Sequence, residues 1–184
     1  MRLLVVGSGG RENAIAWQLA RHGHRLWCAP GNPGTAGIAT NVALDALDIP
    51  GLAALAERES VDLTVVGPEA PLVAGIADDF GKRGLAVFGP SARAARLEGD
   101  KAFAKELMRE SGIPTARFEN HDDHDRARSA LDRFELPVVI KASGLAAGKG
   151  AVVCPNRAAA EACLKEMMID GRFGEAGATV VIEE

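Results

Sequence analysis

The segment that most constrains the fold is the opening one, Leu3-Leu4-Val5-Val6 followed at once by Gly7-Ser8-Gly9-Gly10-Arg11-Glu12-Asn13. A short, branched apolar run without polar alternation is the pattern of a strand buried on both faces, and such strands belong to parallel sheets covered by helices. The glycines behind it make the sharp turn from strand into helix that these sheets require. Runs of the same kind recur at Arg25–Ala29, Leu63–Val66 and Leu85–Phe88, then at Val138–Ala142, Ala151–Cys154 and Thr179–Ile182. Helical periodicity with end signals lies between most of them. Pro50 precedes Leu52, Leu55 and Ala56; Asp100 caps a stretch through Phe103 and Leu107 that Gly112 closes; Ala127, Ala130, Leu131 and Phe134 share a face; and Asn156 precedes Ala160, Cys163, Leu164, Met167 and Met168. Alternating strands and helices predict a parallel α/β sheet for the first half.

The second half reads differently. Gly112-Ile113-Pro114 ends a helix and forces extended backbone, which places a domain break there and divides the chain into 1–112 and 113–184. The runs Val138–Ala142 and Ala151–Cys154 have no helix between them, only Ser143 to Gly150. A glycine-rich hairpin fits that spacing better than a crossover.

With 184 residues the chain can bury a real core, and 21 basic against 25 acidic residues give a net charge of −4. That balance excludes a nucleic-acid binder that works through bulk positive charge. No apolar stretch is long enough to span a bilayer and no leader is apparent, so a membrane partner is not expected. The three cysteines, Cys28, Cys154 and Cys163, lack the spacing of a disulfide framework or zinc site. A reducing cytoplasm suits them. His22, His24, His121 and His124 sit in polar contexts and read as surface residues, and no nucleophile–base pair can be drawn from spacing.

Three loops carry candidate chemistry. Gly7–Asn13 opens a helix where backbone N–H groups can hold a phosphate, but Glu12 occupies the third glycine position of a dinucleotide fingerprint and no acidic residue closes the second strand. A phosphate monoester fits better than NAD; a bare strand-to-helix turn is the alternative. Gly67-Pro68-Glu69 puts a carboxylate at the carboxyl end of the sheet, able to bond sugar hydroxyls or an amine, or simply to favour a helix start. Asn32 and Thr35 in the loop after the second strand are a weaker version of that signal. Gly144–Gly150 is not a P-loop, since its spacing is short and Gly150 stands where a hydroxyl would reach magnesium. Its glycines and Lys149 instead suit a flap whose backbone donors close over polyphosphate. Lys141, half-buried on the strand before the flap, needs an anionic partner such as a nucleotide phosphate, or it snorkels from an edge. Lys101, beside Asp100 at a helix start, is electrostatically out of place there and is either a ligand contact or a solvated lysine.

In series, GSGGREN (7–13), APGNPGT (29–35), DLTVVGPEAPLV (62–73), FGP (88–90), LEGDKAFAKELM (97–108), IPTA (113–116), VVIKASGLAAGKG (138–150) and VIEE (181–184) resemble the phosphoribosylamine–glycine ligase family, also called glycinamide ribonucleotide synthetases, of the ATP-grasp superfamily. The resemblance spans nearly the whole chain. It implies a Rossmann-like parallel-sheet domain followed by a small α+β ATP-grasp lid subdomain. It also implies an ATP-dependent ligase that joins glycine to 5-phosphoribosylamine through glycyl phosphate, giving glycinamide ribonucleotide, ADP and phosphate in cytoplasmic purine biosynthesis. By position, Gly9, Gly10, Arg11 and Glu12 would lie on the phosphoribosyl side with Pro68 and Glu69 beside them. Lys101 and Lys141 would contact ATP phosphates, Gly144, Gly148, Lys149 and Gly150 would belong to the lid, and Glu183 would lie near the adenine amino group.

Two departures from the family matter. Asn13 stands where members commonly carry histidine. Members also continue past the position of Glu184, and the resemblance places the Mg²⁺ or Mn²⁺ ligands and most of the glycine site there. No catalytic or metal-binding residue is therefore assigned within 1–184, and no turnover is expected of this chain by itself. A stand-alone nucleotide- or phosphosugar-binding module is the alternative from another class; an ATP-grasp carboxylase and a dehydrogenase fit the loops less well.

Overall fold

In the computed structural model, which describes residues 1–184, the opening apolar run forms β1 (Arg2–Gly7), with Leu3 to Val6 all buried. The chain continues through α1 (Gly10–Ala20), β2 (Arg25–Pro30), β3 (Thr40–Asn41), α2 (Ile49–Arg58), β4 (Leu63–Val66), α3 (Glu69–Val73), α4 (Ile76–Lys82), β5 (Val87–Phe88) and α5 (Ala92–Gly99). The strands form one sheet in the order β3-β2-β1-β4-β5, and every pairing is parallel. Both faces are covered. Leu3, Val5, Leu26 and Cys28 pack with Ala16 of α1, while Leu4, Val6, Trp27 and Val66 pack with Leu52 and Leu55 of α2 and Ile76 and Phe80 of α4. Burial on two sides is why β1 has no polar alternation.

The second set of elements is α6 (Lys101–Glu110), β6 (Phe118–His121), α7 (His124–Ala130), β7 (Val138–Ala142), β8 (Ala151–Cys154), α8 (Arg157–Met168) and β9 (Val180–Glu183). The sheet order is β6-β9-β7-β8, antiparallel throughout. β7 and β8 form the expected hairpin, with Lys141 opposite Ala151. Ala160, Leu164 and Met167 of α8 and Ala127 and Ala130 of α7 close a core over Val138, Ile140 and Ile182. Full burial of a side chain such as Ile140 or Leu164 stabilises by about 1.5–3 kcal/mol.

The two compact units are Met1–Ala95 and Arg96–Glu184. Gly112 (φ +66) ends α6 within the second unit, and α6 packs on β9, so residues 96–112 lie with the later elements rather than with the parallel sheet.

Several boundaries differ from the sequence expectation. The strand expected over 85–88 is only Val87–Phe88, because the Leu85 amide is drawn to the Phe80 carbonyl at the exit of α4. The periodicity of 127–134 is α-helical only to Ala130; Leu131–Arg133 tighten into a 3₁₀ turn before the extended Phe134. The last strand begins at Val180 and runs to Glu183. β6 carries little apolar signal, and with it His121 leaves the surface: its side chain is 13% exposed and faces Glu119.

Candidate functional site

In the first unit the glycine loop turns from β1 into α1 around a carboxylate. Glu12 is 4% exposed, its Oε2 accepts the Gly9 amide at 2.6 Å, and its Oε1 accepts Arg11 Nε at 3.1 Å. Three glycines make room for it. A Cβ on Gly7 would lie 2.6 Å from Glu12 Cγ, one on Gly9 2.7 Å from Oε2, and one on Gly67 2.2 Å from Oε1. Gly7 also needs its left-handed φ of +125°. The residue that spoils a dinucleotide fingerprint is thus the buried pin of the loop.

Around that pin, Gly9, Gly10 and Arg11 stay exposed, and Gly10 has nothing near the position of a Cβ. Pro68 caps α3 and Glu69 begins it; Glu69 Oε2 lies 3.4 Å from Arg11 Nη2, a largely solvated pair worth little by itself. All six predicted residues of this side meet at the carboxyl end of the sheet. Asn32 and Thr35 support rather than face the site: Asn32 Oδ1 accepts the Gly34 and Thr35 amides, Asn32 Nδ2 donates to the Ser8 carbonyl, and Thr35 Oγ1 donates to Asn41 Oδ1. Asn13 turns its buried Oδ1 toward Gly34 without a hydrogen-bond partner.

In the second unit the cations gather. Lys141 pairs with Glu183 Oε1, so the anionic partner that its burial demands is a protein carboxylate. Lys105, which sequence reasoning passed over, places Nζ 2.5 Å from the other oxygen of Glu183, in an ion pair whose angle falls outside hydrogen-bond geometry. Burial by itself would raise the Glu183 carboxyl, but the two lysines outweigh it and hold it below the ordinary carboxylate value. Lys105 Nζ also donates to Thr115 Oγ1 at 2.7 Å. Its place was available from spacing, since Lys101 and Lys105 are i, i+4 on α6 and therefore share a face.

Lys101 forms no ion pair. Its Nζ donates to the Gly144 carbonyl at 2.9 Å, and burial, with the nearby Lys141 charge, outweighs the pull of Glu98 and Asp100 and holds its ammonium below the ordinary lysine value. Asp100 is already committed to Arg96 at 2.9 Å and to the Phe103 amide that it caps. Lys105 and Lys141 therefore share Glu183, and Lys101, which forms no ion pair of its own, brings a third ammonium near Lys141.

The flap 144–150 has fixed roots and a free tip. A Cβ on Gly144 would lie 2.7 Å from Ala176 Cα, and one on Gly150 would lie 2.6 Å from Ala146 Cβ. Ala147 (φ +48) and Gly148 (φ +77) turn the tip, and Lys149 is exposed and forms no ion pair. No group of three or more His, Cys, Asp or Glu side chains is placed to hold a metal ion.

Two family models match the chain: phosphoribosylglycinamide synthetase, N domain, over residues 1–98, and phosphoribosylglycinamide synthetase, ATP-grasp (A) domain, over residues 99–184. Among curated relatives, a phosphoribosylamine–glycine ligase of Xylella fastidiosa is 52% identical across 100% of this chain and 44% of its own length. Among solved structures, the phosphoribosylamine–glycine ligase of Thermotoga maritima superposes with a TM-score of 0.78 at 32% identity, over 100% of this chain and 44% of that one. The biotin carboxylase domain of a Hydrogenobacter thermophilus 2-oxoglutarate carboxylase reaches a TM-score of 0.78 at 19% identity, over 99% of this chain and 43% of that one, which is a likeness of fold. The chain spans less than half the length of the relatives it matches.

Proposed function

The chain belongs to the phosphoribosylglycinamide synthetase family, and from that premise we propose that its two units serve an ATP-dependent ligase joining glycine to 5-phosphoribosylamine through glycyl phosphate, with ADP, phosphate and glycinamide ribonucleotide as products. The observation that carries the nucleotide side is the charge balance at Glu183. Two lysines share that carboxylate and a third, Lys101, stands near Lys141 without an ion pair, an arrangement that a polyanion completes. A polyphosphate entering there becomes the ionic partner of Lys101 and draws on Lys141, while Glu183, kept ionised by Lys105 and Lys141, remains an acceptor for an amino group. Lys149 and the amides of the flap tip, Gly148 among them, close over the phosphates, while Gly144 and Gly150 hold its roots in place. ATP supplies the phosphoryl group that activates the glycine carboxylate. This chain's part is to bind, orient and screen the phosphates.

On the first unit, Gly9, Gly10 and Arg11 are the donors for the phosphate of 5-phosphoribosylamine, Pro68 shapes the neighbouring wall and Glu69 receives its amine or hydroxyls. Glu12 acts through the loop that it pins. A divalent metal, Mg²⁺ or Mn²⁺, accompanies ATP in such chemistry; the Hydrogenobacter thermophilus biotin carboxylase domain, alike in fold, was solved in complex with MgADP. The cytoplasm is the compartment this reading implies, and no helix of the structure is long and apolar enough to cross a membrane.

The test is a calorimetric titration of ATP into the 184-residue chain and its Lys101→Ala variant. Binding that weakens by about 1.5–3 kcal/mol in the variant, the scale of a charge-assisted hydrogen bond, is the expected result. Equal affinity in both would remove Lys101 from the site, and no binding to either would overturn the nucleotide reading of this unit.

A further inference from the structure

The junction between β7 and the flap is Ser143, which is 6% exposed and has a partner for every polar atom. Its hydroxyl donates to Asp100 Oδ1 at 2.8 Å and accepts the Ala102 amide at 2.9 Å. Its carbonyl accepts the Lys101 amide at 2.8 Å, and its own amide donates to the Thr179 carbonyl at 2.9 Å. Asp100 already caps α6 locally through the Phe103 amide, so Ser143 is a second cap, delivered from 43 residues along the chain. The carbonyl of the next residue, Gly144, is the one on which Lys101 Nζ rests. The first turn of α6, the ammonium it carries and the start of the flap are thereby one hydrogen-bonded block. The flap is further held where the Gly144 amide donates to the Ala176 carbonyl at 3.1 Å and where the Ala142 amide meets the Gly150 carbonyl at 2.7 Å, and within it the Lys149 amide donates to the Ala146 carbonyl at 2.9 Å.

We propose that Ser143 is a positioning residue for phosphate recognition: by pinning the first turn of α6 to the root of the flap, it aims Lys101 at the flap and sets the origin from which the flap closes. The inference rests on the nucleotide reading above. Lys101 forms no ion pair and its ammonium rests on the Gly144 carbonyl, so its direction depends on the block that Ser143 closes. A ligand without a polyphosphate does not sense that block; one with it does. Ser143 should therefore govern the preference for ATP over AMP, not the affinity for the adenosine part.

The experiment compares the unaltered chain with Ser143→Ala and Ser143→Thr, measuring the affinities for ATP and AMP by calorimetry and the rate of tryptic cleavage after the exposed Lys149 with and without each nucleotide. In Ser143→Ala, ATP binding is expected to weaken about tenfold while AMP binding holds within about twofold, the scale of one lost hydrogen bond and its orienting effect. ATP should cease to protect Lys149, and Ser143→Thr, which keeps the hydroxyl, should recover most of the ATP preference. An unchanged ATP affinity and protection in Ser143→Ala would overturn the proposal. So would a parallel loss of ATP and AMP binding with a fallen unfolding midpoint, which marks a helix cap and nothing more, or a Ser143→Thr variant no better than Ser143→Ala. If the unaltered chain binds no ATP, the nucleotide reading fails first and takes this inference with it.

Discussion

The glycine loop after β1 and the glycine flap after β7 are alike in composition and opposite in construction. In the first, Gly7, Gly9 and Gly67 close around the buried carboxylate of Glu12, and that carboxylate finds its partners, the Gly9 amide and Arg11, within the loop. In the second, glycines are sterically required only at the roots, the tip stands free, and the ammonium at the root has a carbonyl as its sole partner. Glycine content alone does not separate the two. Their charges do: the first loop is internally balanced, whereas beside the second Lys105 and Lys141 share one carboxylate and Lys101 forms no ion pair.

Substitutions and pH test that contrast. The largest effect is expected from Gly67→Ala, whose Cβ would fall 2.2 Å from Glu12 Oε1; it should cost about 3 kcal/mol of stability in urea unfolding, as overpacked sites do. A cost below about 1 kcal/mol would mean that Glu12 swings aside and that the first loop is not rigid. Next, Lys141→Ala should weaken ATP binding by about 2 kcal/mol in titration calorimetry; an unchanged affinity would show that its charge is spent on Glu183 alone.

A smaller effect concerns acid. Because Lys105 and Lys141 hold the Glu183 carboxyl below its ordinary value, its contribution to stability is complete above the unfolded carboxylate pKa of about 4.3 and is lost as pH falls through the lower folded value. Urea midpoints should therefore drop more steeply below about pH 4 in the unaltered chain than in Glu183→Gln. Superimposable profiles would remove the lysine–carboxylate cluster from the stability of the second unit. The smallest effect is expected at the flap tip, where Gly148→Ala meets nothing within 4 Å and pays only for its φ of +77°, about 1 kcal/mol.

Much of the fold was legible in short apolar runs: β1 is continuous because it is buried on both faces, and β4, β7 and β8 follow from runs of the same kind, although Ala151 and Val153 of β8 face solvent. The N-caps Asp100 and Asn156 were equally plain, each with its side chain on the backbone amide three residues on. β6 was not, since Phe118-Glu119-Asn120-His121 carries only one apolar residue and owes its strand to pairing with β9. At the site, the glycine loops and Lys101 and Lys141 stood out. Lys105 did not, because an i, i+4 lysine pair usually marks a solvated face, and only β9 shows what it meets. Glu12 was visible as the misfit in a glycine pattern, but its burial is a tertiary fact.

The strand order of the second unit has a consequence for how the chain is made. The parallel sheet is complete once Phe88 has been added, so the first unit can fold while synthesis continues. β9 instead sits between β6 and β7, and those neighbours touch only through it. Until Val180–Glu183 clear the ribosome, the earlier hairpin and β6 have open edges facing a gap, and the antiparallel sheet stays in two pieces until β9 enters between them.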